Sequence, residues 1–187
     1  SGRPRARSPR AQLAAALEIL EQTHVRPTDR IAVIGDGKLG LLVAQVLRLC
    51  GSDVYVIGRH PERWAVLARQ GIGAANAAPV TRSFELVVDC TGQPQGLQLA
   101  RQLTRPRGRL VLKSTFHGAT NLDLAPFIVD EIQLIGSRCG PFGPALRLLE
   151  RGLIETEPLI AAIFPLAEAE QAFAAARGML KVLVQVG

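Results

Sequence analysis

A short apolar strand that runs directly into a glycine-rich turn constrains this sequence more than any other feature. Residues 31–34 read Ile-Ala-Val-Ile, and Gly35, Gly37 and Gly40 then follow in the spacing G-x-G-x-x-G, ahead of a continuous helix-forming run. The first glycine permits a tight turn, the second lets backbone approach a pyrophosphate, and the third lets the helix lie close to the strand. A second apolar strand at residues 54–57 completes a strand–helix–strand unit. The arrangement predicts a dinucleotide-binding turn.

The second half of the turn adds two further candidate contacts, Lys38 and Leu39. Lys38 can neutralise pyrophosphate charge, although most lysines in such a position simply point into water. The sequence has no G-x-x-x-x-G-K-[ST] segment, so nothing in it supports nucleotide hydrolysis.

The apolar runs predict an α/β fold, a doubly wound parallel six-stranded sheet of the Rossmann type. Strand-like runs begin at residues 31, 54, 86, 110 and 132, and a weak strand over residues 75–80 makes the sixth. Most runs are unbroken rather than alternating, which is typical of strands covered on both faces. Helical patterns over residues 39–50, 61–70 and 94–103 lie between the strands, as crossover connections require.

The predicted sheet is flanked by segments at both ends of the sequence. Residues 1–10 are rich in Pro, Arg, Gly and Ser and predict a disordered basic tail, whereas residues 11–23 carry an amphipathic helical pattern. Beyond the sheet, the pattern predicts a helix over 144–153, a short strand over 161–165, a helix over 167–176 and a strand over 181–186. We therefore divide the chain into the tail, a dinucleotide-binding domain with its leading helix over 11–153, and a C-terminal segment over 154–187.

Composition argues against several other classes of protein. The net charge of +6 owes much to four arginines among the first ten residues, and aromatic residues make up only 4%, so nucleic-acid binding has little support. The three cysteines are widely spaced and odd in number, which argues against a disulfide framework and favours a reducing compartment. With no apolar run long enough for a membrane span and no signal-peptide pattern, we expect a cytoplasmic protein. Because the sequence starts at Ser1 rather than Met, we also expect a fragment, a processed product or an engineered chain.

The end of the second strand indicates which dinucleotide is bound. NAD sites usually place an acid about twenty residues past the glycines, to hold the ribose 2′-hydroxyl, but here Gly58, Arg59 and His60 follow Ile57. Glycine leaves room for a 2′-phosphate, and Arg59 can hold it with charge-assisted hydrogen bonds. His60 and Arg63 lie close enough to assist, although the pattern favours an ordinary surface position for each of them. The sequence favours NADP over NAD, with the alternative that Arg59 is a solvated residue at the start of a helix.

The other titratable residues show no catalytic pattern. Asp89, at the end of the fourth strand, is interpreted as a structural hydrogen-bonding acid rather than a general base. His24, His60 and His117 are scattered, without the spacing of metal ligands or of a catalytic triad. We therefore assign no catalytic and no metal-binding residue within the sequence.

Six short motifs occur along the chain in a defined order. They are the glycine turn at 33–40, Val-Val-Asp-Cys-Thr-Gly at 87–92, Gly-Arg-Leu-Val-Leu at 108–112, Leu-Ile-Gly-Ser at 134–137, Pro-Leu-Ala-Glu-Ala at 165–169 with Ala172 and Phe173, and Lys-Val-Leu at 181–183. Together they resemble the cofactor half of medium-chain zinc-type alcohol dehydrogenases and reductases. The resemblance runs from about residue 13 to residue 186 and is specific to the superfamily rather than to one substrate.

The resemblance implies further cofactor contacts and a reaction. The contacts are Thr91 and Gly92 on the adenosine side, backbone around Lys113, Ser114 and Arg138 beside the nicotinamide, and Lys181 at the pyrophosphate. The implied reaction is hydride transfer between the nicotinamide and an alcohol or carbonyl carbon held on zinc.

The resemblance also implies a catalytic domain that is not among these residues. Family members carry an N-terminal GroES-like catalytic domain that holds the zinc and a proton relay, and many have a Glu-Pro pair where Ala11 and Gln12 stand here. We therefore expect a chain that binds NADP(H) but does not turn over an alcohol by itself. We also expect residues 154–187 to lack the domain on which they would pack.

The sequence leaves other functions open. A non-enzymatic dinucleotide-binding or sensing module would fit, with the helix at residues 11–23 exposed as the surface that signals cofactor binding. A methyltransferase is weakened because the second strand does not end in an acid. The sixth strand, around residues 132–135, is an apolar sheet edge along which a second subunit can pair, so we expect a homodimer, with neither nucleic acid nor membrane as a partner.

Overall fold

The computed structural model describes residues 10–116, 121–177 and 179–185. Six parallel strands form its main sheet: β1 (Arg30–Ile34), β2 (Asp53–Ile57), β3 (Gly73–Ala75), β4 (Phe84–Asp89), β5 (Thr104–Leu112) and β6 (Gln133–Gly136). Their spatial order is β3-β2-β1-β4-β5-β6. This is the order of a Rossmann sheet, in which the connections reverse direction between β1 and β4. The predicted fold class is confirmed.

The register of the strands brings their carboxyl ends to one edge of the sheet. Ile34, at the end of β1, lies between Ile57 of β2 and Asp89 of β4. Asp89 is in turn level with Leu112 of β5, and Leu112 with Gly136 of β6. In sheets of this kind the ligand lies outside the carboxyl ends, where the strand order reverses. The loops that follow these strands therefore define the candidate site.

Helices cover both faces of the sheet. Those in the described residues are α1 (Arg10–Gln22), α2 (Lys38–Arg48), α3 (Ala65–Arg69), α4 (Pro94–Leu103), α5 (Ala125–Val129), α6 (Phe142–Glu150) and α7 (Ala169–Ala175). Short 3-10 turns lie at Pro61–Arg63, Glu157–Leu159 and Leu166–Glu168. Ile31 and Val33 of β1 pack in one core with α1, α2, α3 and α6, whereas Ala32 and Ile34 pack in a second core with α4 and α5. The prediction that the unbroken strands are covered on both faces is thus confirmed for β1.

The leading helix is part of the main core rather than an exposed surface. Leu13, Ala16 and Ile19 of α1 are fully buried, and α1 packs against α2 and α6. Burying a Leu or Ile side chain contributes roughly 1.5–3 kcal/mol to folding. The expectation that this helix offers a free surface for signalling is therefore wrong, because its apolar face is already occupied.

The third strand lies before the position predicted for it. It spans Gly73–Ala75 rather than residues 75–80, and it pairs with β2 through Tyr55↔Gly73 and Ile57↔Ala75. A Cβ on Gly73 would stand 2.7 Å from the Tyr55 ring. The strand is therefore selected by packing against β2, although glycine and alanine have low intrinsic strand propensity.

Other bounds also differ from the sequence prediction. β5 begins at Thr104 rather than near residue 110, and α6 begins at Phe142 rather than 144. The five-residue helix α5, which the sequence analysis did not predict, precedes β6. β6 is not covered on both faces, since Gln133, Leu134 and Gly136 are exposed. An edge strand pairs on one side only, so less of it is covered.

The C-terminal segment forms a small sheet of its own. β7 (Ala162–Pro165) and β8 (Val182–Gln185) pair in parallel, and α7 lies between them in the sequence. Ile163 and Phe173 are each more than half exposed. The predicted element types are confirmed here with slightly shifted bounds. Residue 186 of the predicted strand and residues 1–9 of the predicted tail lie outside the described residues, and Arg10 belongs to α1. None of the described helices combines the length and the apolar character needed to cross a membrane.

Candidate dinucleotide site

The turn after β1 begins with a backbone conformation that favours glycine. Gly35 has φ +103°, a region that L side chains rarely adopt. Its N–H donates to the Ile57 carbonyl at 2.8 Å, and a Cβ on Gly35 would stand 3.3 Å from Cγ2 of Thr91. The first glycine therefore makes the tight turn that the motif predicts, between the ends of β2 and β4.

The other two glycines of the turn differ in what surrounds them. A Cβ on Gly40 would stand 1.8 Å from the Gly35 carbonyl oxygen, so Gly40 allows α2 to lie against the turn. A Cβ on Gly37 would meet no atom within 4 Å. The chain itself does not require glycine at position 37, which leaves that side open for a ligand.

The amino end of α2 is suited to an anion. Gly37 is the N-cap, no side chain caps the helix, and its first turn contains no acidic residue. The first amides of a helix lack intrahelical acceptors and carry partial positive charge. Leu39 is partly buried against the main core, so its side chain anchors the helix while its amide stays among these donors. The residues present therefore fit a pyrophosphate at this position.

Two lysines from distant parts of the chain influence one another near this helix end. Burial lowers the pKa of Lys181, and electrostatic repulsion from Lys38 lowers it further. Repulsion of this kind falls off with distance, so it indicates that the two lysines share one region of the protein. Nζ of Lys181 also lies 3.5 Å from Oε1 of Gln12 in α1. The backbone carbonyl of Lys181 accepts a hydrogen bond from the Ala161 N–H at 2.7 Å. Both predicted pyrophosphate lysines therefore add positive charge to the same region of the protein.

Asp36, which the sequence analysis did not single out, occupies the centre of the glycine turn. Its carboxylate is almost fully buried and accepts from the His60 N–H at 2.7 Å, His60 Nδ1 at 2.9 Å and Trp64 Nε1 at 3.0 Å. Burial acts to raise the pKa of Asp36, but the hydrogen bonds from His60 and Trp64 outweigh it and lower the pKa below its ordinary value. An acid between the first two glycines of the motif was the available sequence signal for this contact.

The loop after β2 is held against this carboxylate. A Cβ on Gly58 would stand 2.3 Å from the Asp36 carboxyl group, and the Gly58 N–H donates to the Ala75 carbonyl at 3.0 Å. The space next to the Gly58 Cα, which was expected to accommodate a phosphate, is therefore occupied by the Asp36 carboxyl group. Arg59 is exposed, and the His60 side chain is 45% exposed.

The turn after β4 is organised by Asp89. Oδ1 of Asp89 accepts from the Thr91 N–H at 2.9 Å and the Thr91 hydroxyl at 2.7 Å, as the structural interpretation of this acid predicts. Burial raises the pKa of Asp89. Gly92 has φ +64°, and a Cβ there would stand 2.7 Å from the Thr115 carbonyl oxygen and 3.1 Å from Cβ of Ser114. Thr91, Gly92 and Ser114 therefore lie together between β4 and β5.

Lys113 joins the ends of β5 and β6. Its side chain is buried, and Nζ donates to Oγ of Ser137 at 2.8 Å and to the Arg138 carbonyl at 2.9 Å. Burial lowers the pKa of Lys113, against the opposing influence of Cys90, Glu18 and Cys139. The Arg138 side chain is exposed. The lysine thus fixes the backbone that was expected to face a nicotinamide.

The predicted cofactor residues that follow β1, β2, β4, β5 and β6 lie along this carboxyl edge, and Lys38 lies in the first turn of α2. A cleft of about 910 Å³ lies elsewhere and is lined mainly by α6 and residues 154–163. Within residues 10–116, 121–177 and 179–185, no group of three or more His, Cys, Asp or Glu side chains is placed to hold a metal ion. His117 lies outside those ranges.

The fold and this edge define a dinucleotide-binding domain of the Rossmann class. A sequence model of the family described as zinc-binding dehydrogenase matches residues 39–151, and the chain belongs to that family. The resemblance drawn from the six motifs is confirmed.

Individual relatives agree with this assignment. The chain is 27% identical over 176 residues to a 2-dehydro-3-deoxy-L-galactonate 5-dehydrogenase from Pseudoalteromonas atlantica, covering 87% of this chain and 52% of that protein. Its fold matches a zinc-binding dehydrogenase from Sinorhizobium meliloti bound to NADP, with TM-score 0.85, 24% identity, and coverage of 95% and 58%. It also matches an Escherichia coli alcohol dehydrogenase complexed with NADH, with TM-score 0.83, 22% identity, and coverage of 95% and 58%. The chain spans about half the length of the curated relatives it matches.

Proposed function

We propose that this chain binds NADP(H) as the cofactor-binding part of an alcohol dehydrogenase-like oxidoreductase. The observation that carries the proposal is the uncapped amino end of α2, beside the open side of Gly37, with Lys38 in its first turn and Lys181 within electrostatic reach of Lys38. A pyrophosphate needs hydrogen-bond donors, positive charge and close backbone approach, and this position offers all three. The NADP and NADH present in the two structural neighbours support a nicotinamide dinucleotide.

NADP(H) is preferred over NAD(H) in this proposal because β2 does not end in an acid. Arg59, exposed at this position, offers a charge-assisted hydrogen bond to a 2′-phosphate, worth about 1.5–3 kcal/mol or roughly 10- to 150-fold in affinity. The Asp36 carboxylate, which packs against Gly58, is buried and already accepts three hydrogen bonds.

The other residues of the edge orient the cofactor. A bound nicotinamide supplies the hydride chemistry. The turn formed by Thr91 and Gly92 borders the adenosine side, and the Lys113 bonds to Ser137 and Arg138 keep the ends of β5 and β6 in register beside the nicotinamide. Ser114, packed against Gly92, closes the gap between the two regions.

The whole enzyme, in this proposal, transfers hydride to or from an alcohol or carbonyl substrate, with a zinc-holding catalytic domain contributed by residues other than these 187. Residues 154–187 are the segment that packs on that domain, and residues 11–153 form the dinucleotide-binding unit. The exposed Ile163 and Phe173 of the C-terminal segment support this division. By itself the chain is expected to bind the cofactor without oxidising polyols, measured as NADPH absorbance at saturating NADP⁺.

The same proposal includes a homodimer formed along β6 in the cytoplasm. Four large apolar side chains on α5, just before it and on β6 are at least two-fifths exposed: Leu124, Ile128, Val129 and Leu134. Exposed apolar patches next to an unpaired strand edge mark association surfaces. The three free cysteines fit a reducing compartment.

A paired titration with NADPH and NADH tests the central proposal. Trp64 is the single tryptophan, and its indole donates to Asp36 in the glycine turn, so its fluorescence reports on this site. Arg59→Ala is expected to weaken NADPH binding by about 10- to 150-fold and leave NADH binding unchanged. Arg151→Ala, an exposed arginine at the end of α6, is the matched control.

Two outcomes would contradict different parts of the proposal. If the folded chain binds neither dinucleotide, the glycine turn does not form a cofactor site. If NADH and NADPH bind equally and Arg59→Ala changes neither, the preference for NADP(H) is wrong while dinucleotide binding stands.

A further inference from the structure

The Asp36 carboxylate connects two segments that would both contact the adenosine end of a dinucleotide. It lies inside the glycine turn, yet its three hydrogen-bond donors all come from residues 60–64, after β2. Its side chain is only 5% exposed. The carboxylate therefore holds the loop after β2 in one position relative to the turn that would hold the pyrophosphate.

The same contacts determine how the His60 ring is used. An ionised carboxylate only accepts hydrogen bonds, so Nδ1 of His60 is protonated and donates a hydrogen bond to Asp36 at 2.9 Å. The His60 N–H donates to the other oxygen of Asp36 at 2.7 Å, which fixes the backbone as well as the ring. Nε2 is the ring nitrogen left for another partner, on a side chain that is 45% exposed and follows Arg59 directly.

We propose that Asp36 is a positioning residue that orients His60, so that Nε2 of His60 joins Arg59 in binding the 2′-phosphate of NADP(H). The inference rests on the proposed function. It adds His60 as a second residue that binds the phosphate and Asp36 as the residue that orients His60. With Nδ1 donating to Asp36, Nε2 donates to a phosphate only when the ring carries a proton on each nitrogen. Gly58 is required because any Cβ there would displace the Asp36 carboxylate.

Substitutions at His60 and Asp36 separate this role from a purely structural one. His60→Asn retains a donor near the Nδ1 position for Asp36 but has no atom that corresponds to Nε2. We expect it to weaken NADPH binding by about tenfold or more, the value of one charge-assisted hydrogen bond, and to leave NADH binding unchanged. Asp36→Asn removes the carboxylate that orients the ring, so it should weaken NADPH binding in the same selective way. His24→Asn, at an exposed histidine beyond α1, is the matched control.

The double variant Asp36→Asn/His60→Asn tests whether Asp36 acts through His60. If it does, the double variant binds NADPH as weakly as His60→Asn alone, because the ring that Asp36 orients is already gone. Additive losses would overturn the positioning role. A structural role alone would lower the affinities for NADPH and NADH together, which the NADH titration detects.

The outcomes distinguish this inference from the proposed function. If wild type prefers NADPH and Arg59→Ala abolishes the preference, but His60→Asn has no effect, only the inference is overturned. If Asp36→Asn strengthens NADPH binding, Asp36 repels the phosphate and the inference is also wrong. If wild type binds neither dinucleotide or shows no preference, the proposed function or its NADP(H) specificity fails, and the inference falls with it.

Discussion

Alanine substitution at two glycines three residues apart should separate an effect on stability from an effect on binding. At Gly40 the added Cβ would stand 1.8 Å from the Gly35 carbonyl oxygen, against an ordinary carbon–oxygen contact of about 3.3 Å. The obstacle is backbone, so α2 must move by roughly 1.5 Å, and overpacking of this kind costs about 1–3 kcal/mol. For a chain of this size, we expect Gly40→Ala to lower Tm by about 2–12 °C.

Gly37→Ala should leave stability nearly unchanged. Gly37 has φ −76° and ψ 179°, which alanine adopts without strain, and its Cβ would meet nothing within 4 Å. The lower entropy of the unfolded chain and the loss of a favourable N-cap residue are each worth at most about 1 kcal/mol and oppose one another. The methyl group would, however, project into the space proposed for the pyrophosphate. We expect dinucleotide affinity to fall at least about tenfold.

Thermal denaturation followed by circular dichroism and titration followed by Trp64 fluorescence measure the two effects separately. Gly143→Ala, on the exposed surface of α6, is the control and should raise stability slightly without changing affinity. A Gly37→Ala chain that melts as early as Gly40→Ala would refute the structural argument. A stable Gly37→Ala chain that binds like wild type would refute the placement of the pyrophosphate.

Two further predictions concern a buried lysine and the edge of the sheet. Burial lowers the pKa of Lys113 in the folded chain. Between this lowered pKa and the ordinary lysine pKa of about 10.4, the unfolded state therefore binds more protons than the folded state. The free energy of unfolding should rise with pH through that window. The free energy of unfolding of wild type relative to Lys113→Met, measured with urea, should therefore increase towards high pH, and parallel profiles would contradict the assignment. If the homodimer forms along β6, Leu134→Lys should convert dimer to monomer in sedimentation experiments, whereas Phe173→Lys should not. A wild-type chain that sediments as a monomer would count against the dimer itself.

The sequence was sufficient for the parts of the site that depend on local backbone chemistry. Gly35 and Gly40 were predictable because each meets a local backbone requirement within one six-residue motif. Gly35 makes a turn with positive φ, and Gly40 allows the close contact between α2 and that turn. Asp89 was predictable for a related reason, since its hydrogen-bond partner Thr91 lies only two residues away.

The features that the sequence analysis missed depend on distant pairing. Asp36 bonds to residues 24 and 28 positions further along the chain, and the motif treats its position as variable. β3 has no β-branched residue and is a strand only because it extends the sheet beside β2. α5 is five residues long and contains proline in its first turn, so it has too few residues to show a helical period.

The two lysines near the amino end of α2 are separated by roughly 140 residues of sequence. A ribosome that adds about 5–20 residues per second would complete Lys38 roughly 7–30 s before Lys181. All six strands of the main sheet precede Lys181, the last of them, β6, by 45 residues or roughly 2–9 s. The full positive charge at the proposed pyrophosphate position therefore arises late in synthesis, after every strand of the main sheet has been made.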